Sequence, residues 1–197
     1  MFVITADQRD SRSGVDLVPR AIDDVRRIAG ARATSVPERT AGDELQVADR
    51  DADLVLAIIL HLTRLGSWSV GLGIGSVETP LPASIRAGRG DAFVHAREAV
   101  ERAKRASTRL AVTGTADAAA DAEALVRLLV ELRDRRSPEG WEVYDLLAEG
   151  LTQREAAERL GITEGAVSLR AKAAGLRAEE PALAALGRVL ERADDAV

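Results

Sequence analysis

From Ser67 to Val77 large apolar residues alternate with small ones: Trp68, Val70, Leu72 and Ile74 fall on one side of an extended chain, Ser69, Gly71, Gly73 and Gly75 on the other. A period of two predicts a strand, and a face of glycines predicts that another backbone, a helix or a ligand comes close to it. Just upstream the period changes. Leu54, Val55, Ile58, Ile59, Leu62 and Leu65 recur at helical spacing and predict a helix from Asp51 to Leu65, stopped by Gly66. Near the start, Phe2 to Thr5 reads as a short apolar strand ending at Asp7. A polar loop follows over 8–15, then a helix to about Gly30 carrying Val18, Ile22, Val25 and Ile28. Residues 33–48 read as a hairpin turning at Gly42-Asp43, where a leading Gly suits a type II′ turn. Pro37 places its first strand at an edge or delays its start.

After a Pro- and Gly-bearing loop over 78–89, a helix is expected from Asp91 to Arg105 with Phe93, Ala96, Val100 and Ala103 inward. A short strand, Leu110 to Thr113, precedes an Ala-rich helix with Leu125, Leu128, Leu129 and Leu132. The order is β-α-β-β-α-β with an α-β-α extension, which is ferredoxin-like. The fold class is therefore α+β. A first domain is expected over 1–133, a linker over 134–140 and a small all-α domain over 141–197. In that second domain Ser137 caps a helix with Pro138 at its first position. Trp141, Tyr144, Leu147 and Ala148 make its inner face and Gly150 ends it. Pro181 is expected to open a final helix with Leu183, Leu186 and Leu190 on one side, which closes the small domain or pairs with a second copy.

Residues 152–175 carry a helix-turn-helix pattern. Thr152 with Glu155 forms a capping box, and Ala156, Ala157 and Leu160 supply an inward face. Gly161 sits where the turn needs a positive φ, Ile162 and Val167 fill the angle between the helices, and Thr163 caps the second. Arg170 stands at a late inward position that is usually apolar. The alternative is a plain α-hairpin of a helical domain. On the first reading the partner is duplex DNA, with Ser168, Arg170 and Lys172 in the major groove and Gln153 and Thr163 near phosphate.

Charge refines this. The net charge is −5, against a protein that coats nucleic acid nonspecifically. Residues 1–136 hold 20 basic and 20 acidic side chains; residues 137–197 hold 7 and 12. Yet from Gly165 to Ala178 the only charges are Arg170, Lys172 and Arg177. Positive charge is thus confined to the second helix of the motif and its exit, so one copy should bind DNA weakly and specific binding is expected to need a homodimer or help from the first domain. Cysteine is absent, which excludes disulfides, thiolate metal sites and a Cys nucleophile. No apolar run nears the roughly 20 residues that span a bilayer, and the N-terminus has no basic segment of a signal peptide, so a cytoplasmic protein without a membrane partner is expected.

Carboxylates supply the candidate chemistry. Asp7 ends the first strand and Asp43, followed by Glu44, lies at the hairpin tip. In a ferredoxin-like sheet these two can converge. A magnesium ion needs only one or two carboxylates plus substrate phosphates. Arg9, Ser11, Arg12 and Ser13 lie in the adjoining loop, before a helix, as a phosphate cradle. Alternatively, Asp43 is a turn residue and Asp7 caps a loop. His95 is off the apolar stripe of its helix and either reaches this site or is satisfied by a neighbour; Arg97 lies two residues on. His61 reads as structural, and two histidines so far apart make no zinc site.

Ile4-Thr-Ala-Asp7 with Ser11-Arg12, Thr40-Ala-Gly-Asp-Glu-Leu-Gln46, Val70-Gly-Leu-Gly-Ile-Gly75 and Gly90-Asp-Ala-Phe-Val-His-Ala-Arg-Glu-Ala-Val100 together resemble the SatD-like family of bacterial proteins. Some of its members end in a helix-turn-helix. Ala6 stands where a Gly is usual, and Leu45 where Phe is common. The layout also resembles the palm domain of nucleotide cyclases and diguanylate cyclases. That resemblance implies Asp7 and Asp43 as ligands of Mg²⁺ or Mn²⁺ with a bound nucleotide; Arg9, Ser11 and Arg12 of the loop, with His95 and Arg97 on the later helix, are the expected nucleotide contacts. Where the adenylate type carries a transition-state Asn, this chain has His95, and Arg97 comes too early for the partner Arg.

Three functions follow as expectations. The first is a DNA-binding transcriptional regulator whose palm-like domain senses a nucleotide or metal, or dimerises. The second is a Mg-dependent nucleotidyl transferase or cyclase tethered to DNA. The third is an interaction module resembling the DNA-binding region of a sigma factor, contacting polymerase through its acidic surface.

Overall fold

The computed structural model describes residues 1–197 except Ser13, Ala41, Ala116 and Val197. The chain is α+β, with a five-stranded mixed sheet. It divides into two compact units, residues 1–130 with 185–197, and residues 131–184.

In the first unit the strands are β1 (Phe2–Gln8), β2 (Glu38–Arg39), β3 (Glu44–Asp49), β4 (Trp68–Ile74) and β5 (Leu110–Thr113), in the order β2-β3-β1-β4-β5. β1 runs antiparallel to β3 and β4, and β5 is parallel to β4. The hairpin's second strand therefore lies beside β1, as the β-α-β-β-α-β order predicts. β2 begins directly after Pro37 and lies at the sheet edge, where a missing amide costs least. The hairpin turn is longer than expected. The Thr40 amide donates to the Glu44 carbonyl at 3.0 Å, so the connection spans 41–43 rather than a two-residue Gly42-Asp43 turn. Gly42 has the positive φ, 58°, that the turn requires.

The helices of this unit are α1 (Val18–Ala29), α2 (Ala52–Arg64), α3 (Asp91–Ala103) and α4 (Asp117–Asp134). The glycine face of β4 meets α3. A Cβ at Gly73 would stand 2.1 Å from the Ala92 carbonyl oxygen, and one at Gly71 would stand 2.2 Å from the Val100 amide nitrogen. Ala92, Ala96, Ala99, Val100 and Ala103 are buried in return, while Phe93 is half-buried and packs over Gly88. Small residues on both elements let helix and sheet approach to backbone contact.

The second unit begins in the last turn of α4 and holds α5 (Pro138–Ala148), α6 (Gln153–Leu160), α7 (Glu164–Ala173) and the first half of α8 (Leu176–Asp195). Residues 134–140, expected as a linker, lie inside this unit, where 135–137 separate α4 from α5: Ser137 caps α5 and Pro138 starts it. Val143, Ala156, Ala157, Val167 and Ala171 form this unit's small core. A second anchor is polar. The Glu179 carboxylate accepts from both Arg133 and Arg136, and the Arg136 guanidinium stacks 4.4 Å from the Trp141 ring centroid. Tyr144 packs edge-on to Trp141. The expected inner-face aromatics of α5 thus cover a buried charge cluster.

The final helix departs from expectation. It starts at Leu176, and Pro181 lies inside it at an exposed position rather than opening it. Its second half belongs to the first unit: Asp194 pairs with the Met1 ammonium, Leu186, Leu190 and Ala193 are buried, and Gly187 lies against Asp53 of α2. A Cβ at Gly187 would stand 2.2 Å from that carboxylate. Among the described residues no helix is long and apolar enough to cross a membrane.

Candidate functional sites

The first site is built on the α3 face of the sheet. Asp7 pairs in register with Glu44 on β3 and Ser69 on β4, and two residues back Thr5 pairs with Gln46 and Gly71. Residues directly opposite share a face. This end of the sheet is therefore polar although Thr5, Glu44, Gln46 and Ser69 are buried. Gln46 donates to the Thr5 hydroxyl at 3.0 Å, and the Thr40 hydroxyl donates to Glu44 at 2.8 Å.

Cations reach over from α3 and its end. Lys104 Nζ lies 3.1 Å from Asp7 and 2.8 Å from Glu101. Burial alone would lower the pKa of the Lys104 ammonium; the bonds it donates to Glu101 and Asp7 outweigh this and hold its pKa above the ordinary lysine value. Glu101 is held below the ordinary carboxylate range, first by its bond from Lys104. Arg97 Nη2 stands 3.8 Å from Glu44. The carboxylate directly opposite Asp7 is thus Glu44, while Asp43 lies in the adjoining turn. Asp43 accepts from the Ser11 hydroxyl, and its carbonyl accepts from the Gln8 amide at 3.0 Å.

The remaining expected contacts are distributed. Arg9 turns toward the loop before β4, its guanidinium donating to the Gly66 carbonyl at 3.3 Å and its amide to the Ser67 carbonyl at 2.8 Å. Arg12 is exposed, and Ser13 lies outside the described residues. The loop is shaped by buried Gln8, which donates to the Val15 carbonyl and accepts from the Leu17 amide. A hollow of about 280 Å³ lies between Gln8, Arg9, Gly14 and Ser67. His95 Nδ1 donates to the Ile74 carbonyl at 2.7 Å. His61 is structural, 3.3 Å from Asp24. Ser11 with Asp43 and Arg97 with Glu44 are the pairs that come together.

Among the described residues no group of three or more His, Cys, Asp or Glu is arranged to hold a metal ion. Asp7 faces an ammonium, and Glu44 and Asp43 each have a protein donor. A cavity of about 570 Å³ opens elsewhere, beside β5, where Arg102 and Arg127 share Glu123; it contains none of the candidate residues.

The second site is the α6–turn–α7 segment. Both halves of the capping box form: the Glu155 amide donates to the Thr152 hydroxyl at 3.3 Å, and the Thr152 amide donates to the Glu155 carboxylate at 2.8 Å. That second bond holds Glu155 below the ordinary carboxylate range. Gly161 is left-handed at φ 65°, ψ 32°, and Thr163 caps α7 by accepting from the Ala166 amide. Val167, Ala171 and Ala174 turn inward, so at 100° per residue the opposite face centres on Leu169. Leu169 is 69% exposed and is flanked by exposed Gly165, Lys172 and Ala173.

The expected contact residues take different places around this helix. Lys172 and Thr163 are exposed, Ser168 and Gln153 half-buried. Arg170 corrects the expectation of an unopposed outward cation. It sits about 100° from Leu169, is half-buried, and pairs at 3.3 Å with Glu142 of α5. Glu142, four residues ahead of Leu146 on the motif's supporting helix, carried no pattern that marked it. Leu169 was legible as the position opposite Val167 and Ala171 on a helical projection.

No protein-family model matches the chain, and no curated protein matches it. The resemblance to SatD-like proteins therefore rests on the four sequence blocks. Among solved structures, a regulator of polyketide synthase expression from Bifidobacterium adolescentis is similar at 17% identity, over 98% of this chain and 79% of that one, with a TM-score of 0.27.

Proposed function

We propose that the chain is a DNA-binding transcriptional regulator. The observation that carries this is the local geometry of residues 152–173: a capping box, a left-handed glycine, a capped second helix and a small core that leaves one face of α7 bare. These features support reading the segment as a helix-turn-helix, in which the second helix enters the major groove. Lys172 and Ser168 face base edges or phosphate, Thr163 and Gln153 lie near phosphate, and Arg170 joins them by exchanging Glu142 for DNA. A partly exposed ion pair is worth only about 0–1 kcal/mol, so that exchange is cheap.

The first unit, in this reading, is a palm-like, SatD-like module. Its strand order and the polar end of β1 and β3 support a sensing or dimerising role, with Arg97 and Arg12 exposed to an anionic nucleotide. The acidic balance of residues 137–197 limits the affinity of one copy, so specific binding uses two.

Selection from a random duplex library with the full chain tests the proposal. One enriched sequence family is expected, and Lys172→Ala with Arg170→Ala should weaken binding to it by tenfold or more, each lost base contact being worth about 1–3 kcal/mol. Absence of enrichment at low salt, or unchanged affinity in the double variant, would overturn it.

A further inference from the structure

The outward face of α7 has an unusual make-up. At 100° per residue, Gly165, Ala166, Lys172 and Ala173 all lie within about 60° of Leu169. Leu169 is 69% exposed at the centre, with exposed Gly165, Lys172 and Ala173 around it. Lys172 donates hydrogen bonds, and none of these five side chains accepts one. The helix's single carboxylate, Glu164, stands about 140° away around the axis.

Two observations say what meets this face. The first is charge: every charged residue from Gly165 to Ala178 is basic, which suits a polyanion. A protein contact of standard size buries about 800 Å² per partner, and one leucine among glycine and alanines does not supply that. The second is Gly165. A Cβ there would have only the Thr163 hydroxyl oxygen within 4 Å, at 3.9 Å, and the backbone is ordinary α-helix. The chain's own packing therefore does not require a glycine at a position where glycine weakens the helix. What a bare position does allow is the close approach of an outside surface to the backbone.

The major groove of duplex DNA is such a surface. About 12 Å wide, it admits an α-helix between walls of phosphate, and its floor offers one apolar group, the C5-methyl of thymine. The amino groups of adenine and cytosine need an acceptor to read them, which this face lacks. We infer that Leu169 is a specificity-determining residue that reads a thymine methyl group in the major groove. The inference rests on the DNA-binding reading above and adds which base is recognised and by which side chain.

The test uses the duplex that the full chain enriches from the random library. Each thymine is replaced in turn by deoxyuridine, which keeps the same hydrogen-bonding groups and lacks only the methyl. At one position of the site affinity should fall about fourfold, the worth of one buried methyl. Leu169→Ala should bind the thymine and uracil duplexes alike at that position. The variant keeps its fold, because Leu169 is exposed and alanine is the better helix former. Gly165→Leu, which meets open space within the chain, should weaken both duplexes equally, by about tenfold or more, by holding the helix off the groove. An enriched sequence without thymine, equal affinity for every uracil duplex, or a thymine preference that survives Leu169→Ala would overturn the inference and leave DNA binding standing. So would full affinity in Gly165→Leu, or a Leu169→Ala chain that keeps its DNA affinity but loses self-association on sedimentation. Failure to enrich any sequence would overturn both readings.

Discussion

Gly73 shows how much one missing atom decides. A methyl there would penetrate the backbone of α3, 2.1 Å from the Ala92 carbonyl oxygen and 2.3 Å from the Ala96 amide nitrogen. Neither is the tip of a flexible side chain that can swing away. Gly73→Ala is expected to cost about 3 kcal/mol, at the upper end for overpacking, and to loosen α3 from the sheet. Urea unfolding followed through Trp68 on the same strand measures it. Lys104 makes a pH-dependent prediction. Its pKa is raised in the folded chain, so its contribution to stability is present below the ordinary lysine value of 10.5 and is lost as pH rises through the raised value. Lys104→Met should remove that loss, and unfolding titrations of both proteins at pH 8 and pH 11 should differ in this sense. These residues were unequally legible. The glycine face announced a close neighbour because alternation is a local signal. Glu44 was named beside Asp43, but its place opposite Asp7 depends on the register of a turn one residue longer than the Gly-Asp pair suggests. His95 had two readings, and its Nδ1 partner, the carbonyl of Ile74, lies twenty-one residues away and left no local mark.

Elements add the question of what each exposed edge or end does. β5 ends the sheet, and an unpaired strand edge invites another strand. Here the Val112 amide donates to the Glu123 carboxylate at 2.8 Å, and its carbonyl accepts from Arg102 at 3.0 Å, while Arg102 and Glu123 also join each other. Two side chains thus take the hydrogen bonds a sixth strand would make. Glu123→Ala should cost about 2 kcal/mol or more through the orphaned amide and should raise aggregation on partial unfolding, read by light scattering in urea. At the other end of the chain, α6 depends on its cap. Thr152→Ala should cost about 1 kcal/mol. The accompanying Glu155 carboxylate has a lowered pKa, so the box is strongest above the ordinary carboxylate range and weakens as pH falls into it. Caps and apolar stripes are written within four residues of themselves, which is why the helices and strands of this chain could be placed from the sequence. The exceptions are instructive. Pro181 signals a helix start locally, yet lies within α8 at an exposed site. Arg170 looked unopposed because its counterion, Glu142, is twenty-eight residues away.

At the scale of the whole molecule, the division into units does not follow chain order. Leu186 and Leu190 were expected to close the helical domain or to pair with a second copy; they are instead buried with the first unit, where Asp194 also meets the Met1 ammonium. A pattern of leucines records that a face is buried, not against what, so no reading of residues 176–195 alone could assign their partner. The consequence is measurable because each unit holds one of the two tryptophans, Trp68 in the first and Trp141 in the second. Removing residues 185–197 exposes the apolar surface that two leucines and Ala193 cover, about 4 kcal/mol at 1.5–3 kcal/mol per large side chain, and the loss falls on the first unit. In a Trp141→Phe background, the unfolding midpoint reported by Trp68 should drop sharply on truncation. In a Trp68→Phe background, the midpoint reported by Trp141 should move far less, since the buried Arg133, Arg136 and Glu179 cluster and the core around Val143 remain intact. If instead the Trp141 transition collapses while that of Trp68 holds, the second half of α8 supports the helical unit, and the order of elements along the chain would after all describe the order of domains in space.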